Sequence, residues 1–268
     1  MNIWRNDNQR DKVGLLRRST VKAPISLVAS ALSVASCSSD ALNESTVTKA
    51  LNDKLAQTPV CETFSKLNDG ELNEFLAQNA DLNSQNGWSN KVSSGSHYAI
   101  KTMASQAFTS QDDKDQEQAV LLGLSEAGFL DGPGGGVFAF QTGGWFRANY
   151  SVAIVKPSIA PFLGDSKGRV GPPDRLLTVC FAALKVKDVE RWSEPAAEAS
   201  SPEALADFHI KAELQPAFAG SKSLSNLITQ ENAKPETLTS LRATLIKMND
   251  GWIADKIAPA SARGTAGM

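Results

Sequence analysis

LLTVCFAALKV, at residues 176–186, is a nearly continuous run of apolar and β-branched residues. A run of this kind, with turn residues just ahead of it, predicts a buried strand. Further strands are predicted downstream at residues 207–218 and 241–248. Asp250 and Gly251 then lie between apolar flanks, which is typical of a hairpin turn into a last strand. Several strands in succession predict an antiparallel sheet over residues 176–258.

The stretch just before this run predicts a boundary in the chain. GDSKGRVGPPD, at residues 164–174, combines three glycines with two prolines, which interrupt helices and strands alike. We therefore expect a linker at residues 164–175. At the other end of the sheet, residues 259–268 predict a flexible tail.

Helical periodicity is the main pattern of the first half. A first helix is predicted by apolar residues at the spacing of one helix face, which are Val47, Ala50, Leu51 and Leu55. Further helices are predicted at residues 69–77 and 116–130. The sequence therefore favours a helical segment that begins at residue 45.

The pattern then changes to a period of two. Residues 137–141 and 146–155 predict two strands around the turn at Gly143 and Gly144. Helices followed by a two-stranded wing resemble a winged-helix domain, here at residues 45–163. That resemblance implies DNA binding in a cytoplasmic protein, but only a packing scaffold in an exported one. The fold class predicted for the chain is α+β, with a helical N-terminal half that carries a small β-wing and an antiparallel C-terminal half.

Charge separates the first 36 residues from the rest. They hold six Lys or Arg residues against two Asp residues, which leaves 21 basic and 27 acidic residues in the remaining 232. A net charge of −6 on that part gives no electrostatic reason to bind nucleic acid or an anionic membrane surface. We therefore expect no nucleic-acid partner.

A short apolar stretch follows the basic region. APISLVASALSVAS, at residues 23–36, is charge-free, and its 14 residues are fewer than the roughly 20 that span a bilayer. A basic region, a short apolar region and small residues before a cleavage point are typical of a secretory signal. Val34, Ala35 and Ser36 directly precede Cys37, and this order resembles the lipobox of bacterial lipoprotein precursors.

The lipoprotein resemblance implies how the protein is processed and where it is located. Residues 1–36 would be removed as the signal peptide, Cys37 would be acylated, and residues 37–44 would form a tether. Several acyl chains hold a protein durably on a membrane. Ser38, rather than Asp, follows the cysteine, which favours the periplasmic face of the outer membrane.

The second half is also similar to a group of proteobacterial envelope lipoproteins. Their Trp-Ser/Thr-Glu-Pro turn is matched at residues 192–195, and their closing Gly-Trp hairpin is matched at Gly251 and Trp252. This similarity implies an envelope protein and no particular activity.

The other two cysteines predict a disulfide. Once Cys37 is acylated, Cys61 and Cys180 are the remaining pair in an oxidising compartment. The alternative is two separate buried thiols, because Cys180 lies in an apolar strand pattern where free cysteine is also common.

Residues that carry chemistry are few. His97 and His209 are the only histidines, so a multi-histidine metal site is impossible. His97 lies near Ser94 and Ser96, which suggests a hydrolase, but the chain has no GxSxG motif and sequence neighbours do not define geometry. The acidic cluster at residues 112–117 predicts a helix start rather than a calcium loop. We predict no catalytic residue, metal or cofactor.

A dense group of aromatic residues is the remaining lead. Phe138, Phe140, Trp145, Phe146 and Tyr150 lie within 13 residues. If exposed, they would form an interaction surface, and the alternative is that they fill the core.

The function predicted from these observations is a non-enzymatic, membrane-anchored envelope lipoprotein that binds a protein partner or contributes to an envelope assembly. A module that binds a small ligand or a cell-wall fragment is the alternative, and a periplasmic hydrolase is less favoured. A deep polar pocket would support the alternative, whereas a flat surface patch would support the protein partner.

Overall fold

The computed structural model describes residues 41–102, 111–143, 149–165, 173–194, 202–234 and 239–260. The helices in these ranges are α1 (Glu44–Leu55), α2 (Asp69–Gln78), α3 (Ala80–Asn86), α4 (Trp88–Ser93), α5 (Gln111–Glu126) and α6 (Lys222–Asn232). The strands are β1 (Pro59–Lys66), β2 (Tyr98–Lys101), β3 (Leu130–Asp131), β4 (Val137–Gln141), β5 (Asn149–Val155), β6 (Leu163–Gly164), β7 (Leu176–Trp192), β8 (Glu203–Leu214), β9 (Leu241–Met248) and β10 (Gly251–Pro259).

These ten strands of the described residues form one antiparallel sheet. Its order is β10-β9-β8-β7-β1-β2-β5-β3, and β4 pairs with β5 while β6 pairs with β7. β7 is 17 residues long, and it pairs with β1 along its first part and with β8 along the rest. Strands from both sides of residues 164–175 are therefore neighbours in the same sheet.

The predicted division into a helical half and a sheet half is wrong. Helices and strands alternate along the chain, and β1 lies inside the sheet between β7 and β2. The sequence of β1, PVCETFSK, mixes polar and apolar residues, and its partner strands are distant in the chain, so the local pattern does not reveal it. The winged-helix interpretation fails with it, because β4 and β5 extend the large sheet instead of forming a separate wing.

One face of the sheet, which we call the inner face, packs against α1, α5 and α6. Its apolar side chains and the buried sides of these helices form the main core, which includes Val47, Leu51, Phe64, Leu121, Leu177, Phe181, Phe208, Leu224 and Leu245. Each fully buried side chain of this size contributes about 1.5–3 kcal/mol. Asn43 caps the N-terminus of α1, since its Oδ1 accepts a hydrogen bond from the backbone N–H of Thr46 at 3.0 Å.

Helices α5 and α6 meet at very short range on the inner face. A Cβ atom at Gly123 of α5 would lie 2.3 Å from Cγ of Leu224 on α6, so only glycine fits there. At the end of α5, Glu126 accepts hydrogen bonds from the backbone N–H of Ser223 and from the hydroxyl of Ser221. These bonds hold the pKa of the Glu126 carboxyl below its ordinary value.

The opposite face, which we call the outer face, is covered only in part within the described residues. At the β2–β5 end, α2 to α4 enclose a second, smaller core that includes Phe75, Leu76, Trp88, Phe140 and Ile154. At the β7–β10 end the outward side chains are mostly exposed. The two ends of the outer face therefore differ in what they offer to solvent.

Candidate interaction face

The outward side chains of β7 to β10 form a surface that we call the open face. Alternation along β8 directs Ala206 and Phe208 into the main core and Leu205 and Asp207 outward. The strand register places Asp207 opposite Arg242 of β9. Because directly paired residues share one side of a sheet, charged and aliphatic side chains meet on the open face.

Four aliphatic side chains form one end of the open face, which we call the aliphatic patch. Leu205, Met248 and Ile253 are 46%, 53% and 48% exposed, and Ile246 is half-buried. Ile246 pairs with Ile253 of β10 on one side and with Glu203, two residues from Leu205, on the other. Single exposed apolar residues are common, but adjacent ones on three strands indicate a surface suited to a partner.

An ion-pair centre adjoins the aliphatic patch. Asp207 is buried, and its carboxylate accepts hydrogen bonds from Nε of Arg191 at 2.8 Å and from Nε and Nη2 of Arg242 at 2.6 and 2.8 Å. The hydrogen bonds from Arg242 are the largest cause of a lowered pKa, and the carboxyl of Asp207 titrates at about 2 instead of 3.8. Both guanidinium groups remain partly exposed on the open face.

His209 continues the polar part of the open face. Its Nδ1 lies 2.7 Å from Oδ1 of Asp188, and its Nε2 lies 3.5 Å from Oε1 of Glu190. Glu190 in turn accepts a hydrogen bond from the hydroxyl of Ser240 at 2.8 Å. The ring is thus held between two carboxylates of β7, which explains the position of the histidine as a cross-strand contact.

The aromatic residues predicted as an interaction surface lie elsewhere. Phe140 is 2% exposed in the second core, and Phe138 and Tyr150 pack half-buried against that core. The ring of Phe138 lies 5.1 Å from that of Trp88, in an edge-on contact. These three side chains therefore fill a core, which was the alternative reading. Trp145 and Phe146 lie outside the described residues.

The predicted serine and histidine residues, Ser94, Ser96 and His97, directly follow the end of α4. The hydroxyls of Ser94 and Ser96 each donate to the carbonyl oxygen of Lys91 at 2.9 Å, which satisfies a carbonyl in the last turn of α4. Nε2 of His97 lies 3.5 Å from Oδ2 of Asp131, and burial lowers the pKa of the His97 imidazole. Oγ of Ser96 also lies 3.2 Å from Nδ1 of His97, so this serine and this histidine are in contact just beyond the helix.

The predicted disulfide between Cys61 and Cys180 is confirmed. The two sulfurs are 2.06 Å apart and join β1 to β7. The bridge lies on the outer face, between the second core and the open face, because Phe64, Leu177 and Val179, which alternate with the two cysteines, lie in the main core on the inner face. It closes a loop across 119 positions of the chain.

The remaining sequence predictions concern the lipid anchor, metal sites and membrane-spanning segments. Cys37 and the lipobox residues Val34, Ala35 and Ser36 lie outside the described residues. Within the described ranges, no group of three or more His, Cys, Asp or Glu residues could hold a metal ion. No helix in those ranges has the length and apolar character needed to cross a membrane.

In comparisons with protein-family models, curated proteins and solved structures, no match to this chain was found. Its function is therefore inferred from its own residues.

Sequence reasoning missed the open face, although one signal was present. In EALADFHIKAEL, the sequence of β8, Leu205 is out of phase with the buried Ala204, Ala206 and Phe208.

Proposed function

We propose that the chain is a non-enzymatic envelope lipoprotein, held on the periplasmic face of the outer membrane by lipid on Cys37, that binds a protein partner. The single observation that supports partner binding is the open face, where an aliphatic patch adjoins an ordered ion-pair centre. The signal-like residues 1–36 and the lipobox before Cys37 support the membrane anchor. The two parts of the proposal are tested separately.

The form of the open face favours a protein over a small ligand. Small molecules bind in concave sites that bury most of their surface, whereas the open face is the outer side of a sheet. Leu205, Ile246 and Ile253 lie on three adjacent strands, so a partner must span at least three strands to cover them. Protein surfaces of this kind typically combine an apolar centre with polar residues at the rim.

The anchor is tested by the intact mass of the protein from the membrane fraction. We expect a mass that begins at Cys37 and carries acyl chains, and we expect Cys37→Ala to remain unprocessed. The Cys61–Cys180 bridge provides an internal control, because only the bridge should gain two protons on reduction. An unprocessed wild-type chain in the soluble fraction would contradict the lipid anchor without affecting the test of the open face.

The open face is tested by site-specific photo-cross-linking in cells. A photoreactive residue at Leu205 should give an adduct of defined mass, and a matched residue at Leu122 should not. Leu122 is a suitable control because it is 42% exposed but lies on α5, away from the open face. The Leu205 adduct should disappear when Ile253→Asp places a charge in the aliphatic patch. Equal adducts from both positions, or an adduct that persists in Ile253→Asp, would contradict the proposal.

A further inference from the structure

The disulfide joins two residues that the sheet already holds together. Cys61 and Cys180 are directly opposite each other in the β1–β7 register, and Thr63 and Thr178 form the next pair on the same side of the sheet. The hydroxyl oxygens of these threonines are 2.9 Å apart and share a hydrogen bond. Beyond a register shift between Val60 and Cys61, backbone pairing resumes and reaches Pro59 and Ala183. The strands therefore have contacts on both sides of the bridge that do not depend on it.

The two bridged cysteines differ in their exposure to solvent. Cys180 is 6% exposed, whereas Cys61 is half-buried. Gly164 of β6 lies against the Cys180 sulfur, since a Cβ atom at Gly164 would be 2.5 Å from Sγ of Cys180 but 3.6 Å from Sγ of Cys61. Thiol–disulfide exchange requires an attacking thiolate to reach one sulfur of the bridge. Cys61 is the more exposed of the two residues and the one farther from Gly164, so we take its sulfur as the point of attack.

We infer that the Cys61–Cys180 bridge is a thiol–disulfide exchange site that opens and closes in the folded protein, with a low-molecular-weight thiol as its co-reactant. The thiolate attacks Sγ of Cys61, a new S–S bond forms there, and Cys180 leaves as a thiolate that takes up a proton. A second thiol then attacks the mixed disulfide, releases Cys61 as a thiol, and leaves as the oxidised disulfide. Two thiols thus supply two electrons, and the reverse sequence closes the bridge.

This inference does not rest on the proposed function, and wild-type protein tests it directly. The full chain is incubated in buffers of reduced and oxidised glutathione, quenched with acid, and labelled at free thiols, with Cys37 followed separately by peptide mapping. Circular dichroism and resistance to protease report whether the chain stays folded. We expect Cys61 and Cys180 to become labelled together while both folding signals are unchanged. Reduction that occurs only at urea concentrations that unfold the chain would overturn the inference.

A matched pair of variants tests which sulfur reacts. In Cys180→Ser, the remaining thiol at Cys61 should form a mixed disulfide with oxidised glutathione about tenfold faster than the thiol at Cys180 does in Cys61→Ser, because access governs the rate. In wild-type protein, the glutathione adduct trapped during reduction should map to Cys61. An adduct at Cys180, or equal rates in the two variants, would overturn the assignment of Cys61 even if a variant folds poorly, since the adduct is mapped in wild-type protein.

Discussion

The ionised carboxylate of Asp207 stabilises the fold, and a single substitution can test this role. Its carboxylate is buried between Arg191 and Arg242, and their hydrogen bonds keep it ionised down to about pH 2. In an unfolded chain the same group titrates near 3.8. A lowered pKa means that the ionised form stabilises the fold, so this contribution is present above about pH 4 and is lost as the pH falls towards 2.

We therefore predict that Asp207→Asn lowers the free energy of unfolding by about 1–2 kcal/mol at pH 7, a value reduced for the solvent exposure of both guanidinium groups. Urea unfolding at pH 7 and at pH 2.5 should show the difference from wild type shrinking at the lower pH. Asp255→Asn, at an exposed position on β10, is the matched control and should change little at either pH. A difference for Asp207→Asn that stays constant with pH would contradict the role of its charge.

Some residues of the site were predictable and others were not. Cys61 and Cys180 form the pair left once Cys37 is set aside, so counting cysteines predicted the bridge but left two separate thiols as an alternative, which the structure removes. The ion-pair centre could not be found in this way, because Asp207 meets Arg191 and Arg242 only through the register of three strands. Charged residues are frequent in this chain, and nothing in their local sequence indicates which of them are paired.

At the scale of elements, the contact between α5 and α6 depends on one glycine. We predict that Gly123→Ala lowers the free energy of unfolding by about 1–3 kcal/mol, because the added methyl group would overlap with Leu224. Alanine stabilises a helix relative to glycine by about 0.5–1 kcal/mol. Helix propensity alone would therefore raise the free energy of unfolding, and the predicted decrease has the opposite sign. Gly220→Ala is the control, since a Cβ there has no atom within 4 Å. If urea unfolding finds Gly123→Ala as stable as the control, the helices are not in tight contact.

Elements with strong local patterns were predictable from the sequence. The apolar period of α1, which ends before Pro59, depends on residues close together in the chain. The same is true of the Asp-Gly turn between β9 and β10. β1 was missed because burial on both faces hides the alternation of a strand, and because its sequence mixes polar with apolar residues. The position of a strand within a sheet depends on its partners, which for β1 are β7 and β2. Local patterns therefore predicted individual elements better than their arrangement.

At the scale of the whole molecule, the sheet crosses the position where the sequence predicted a linker. β1 pairs with β7 across residues 164–175, and α1 of the first half packs against β7 and β10 of the second. Helices α5 and α6, from opposite sides of the same position, also pack together. The main core is therefore built from both sides of the predicted linker.

We predict that fragments 41–163 and 176–258 do not fold when each is produced alone. The first fragment would expose the apolar side of α1 and the β7 edge of β1, and the second would lose α1 from the inner face of β7 and β10. The uncut chain 41–260 is the control, and it should unfold in urea in one cooperative transition. Far-UV circular dichroism and urea titration of each fragment provide the measurement. Cooperative unfolding of fragment 176–258 by itself would show instead that β7 to β10 form an independent unit, for which α1 is only an external cover.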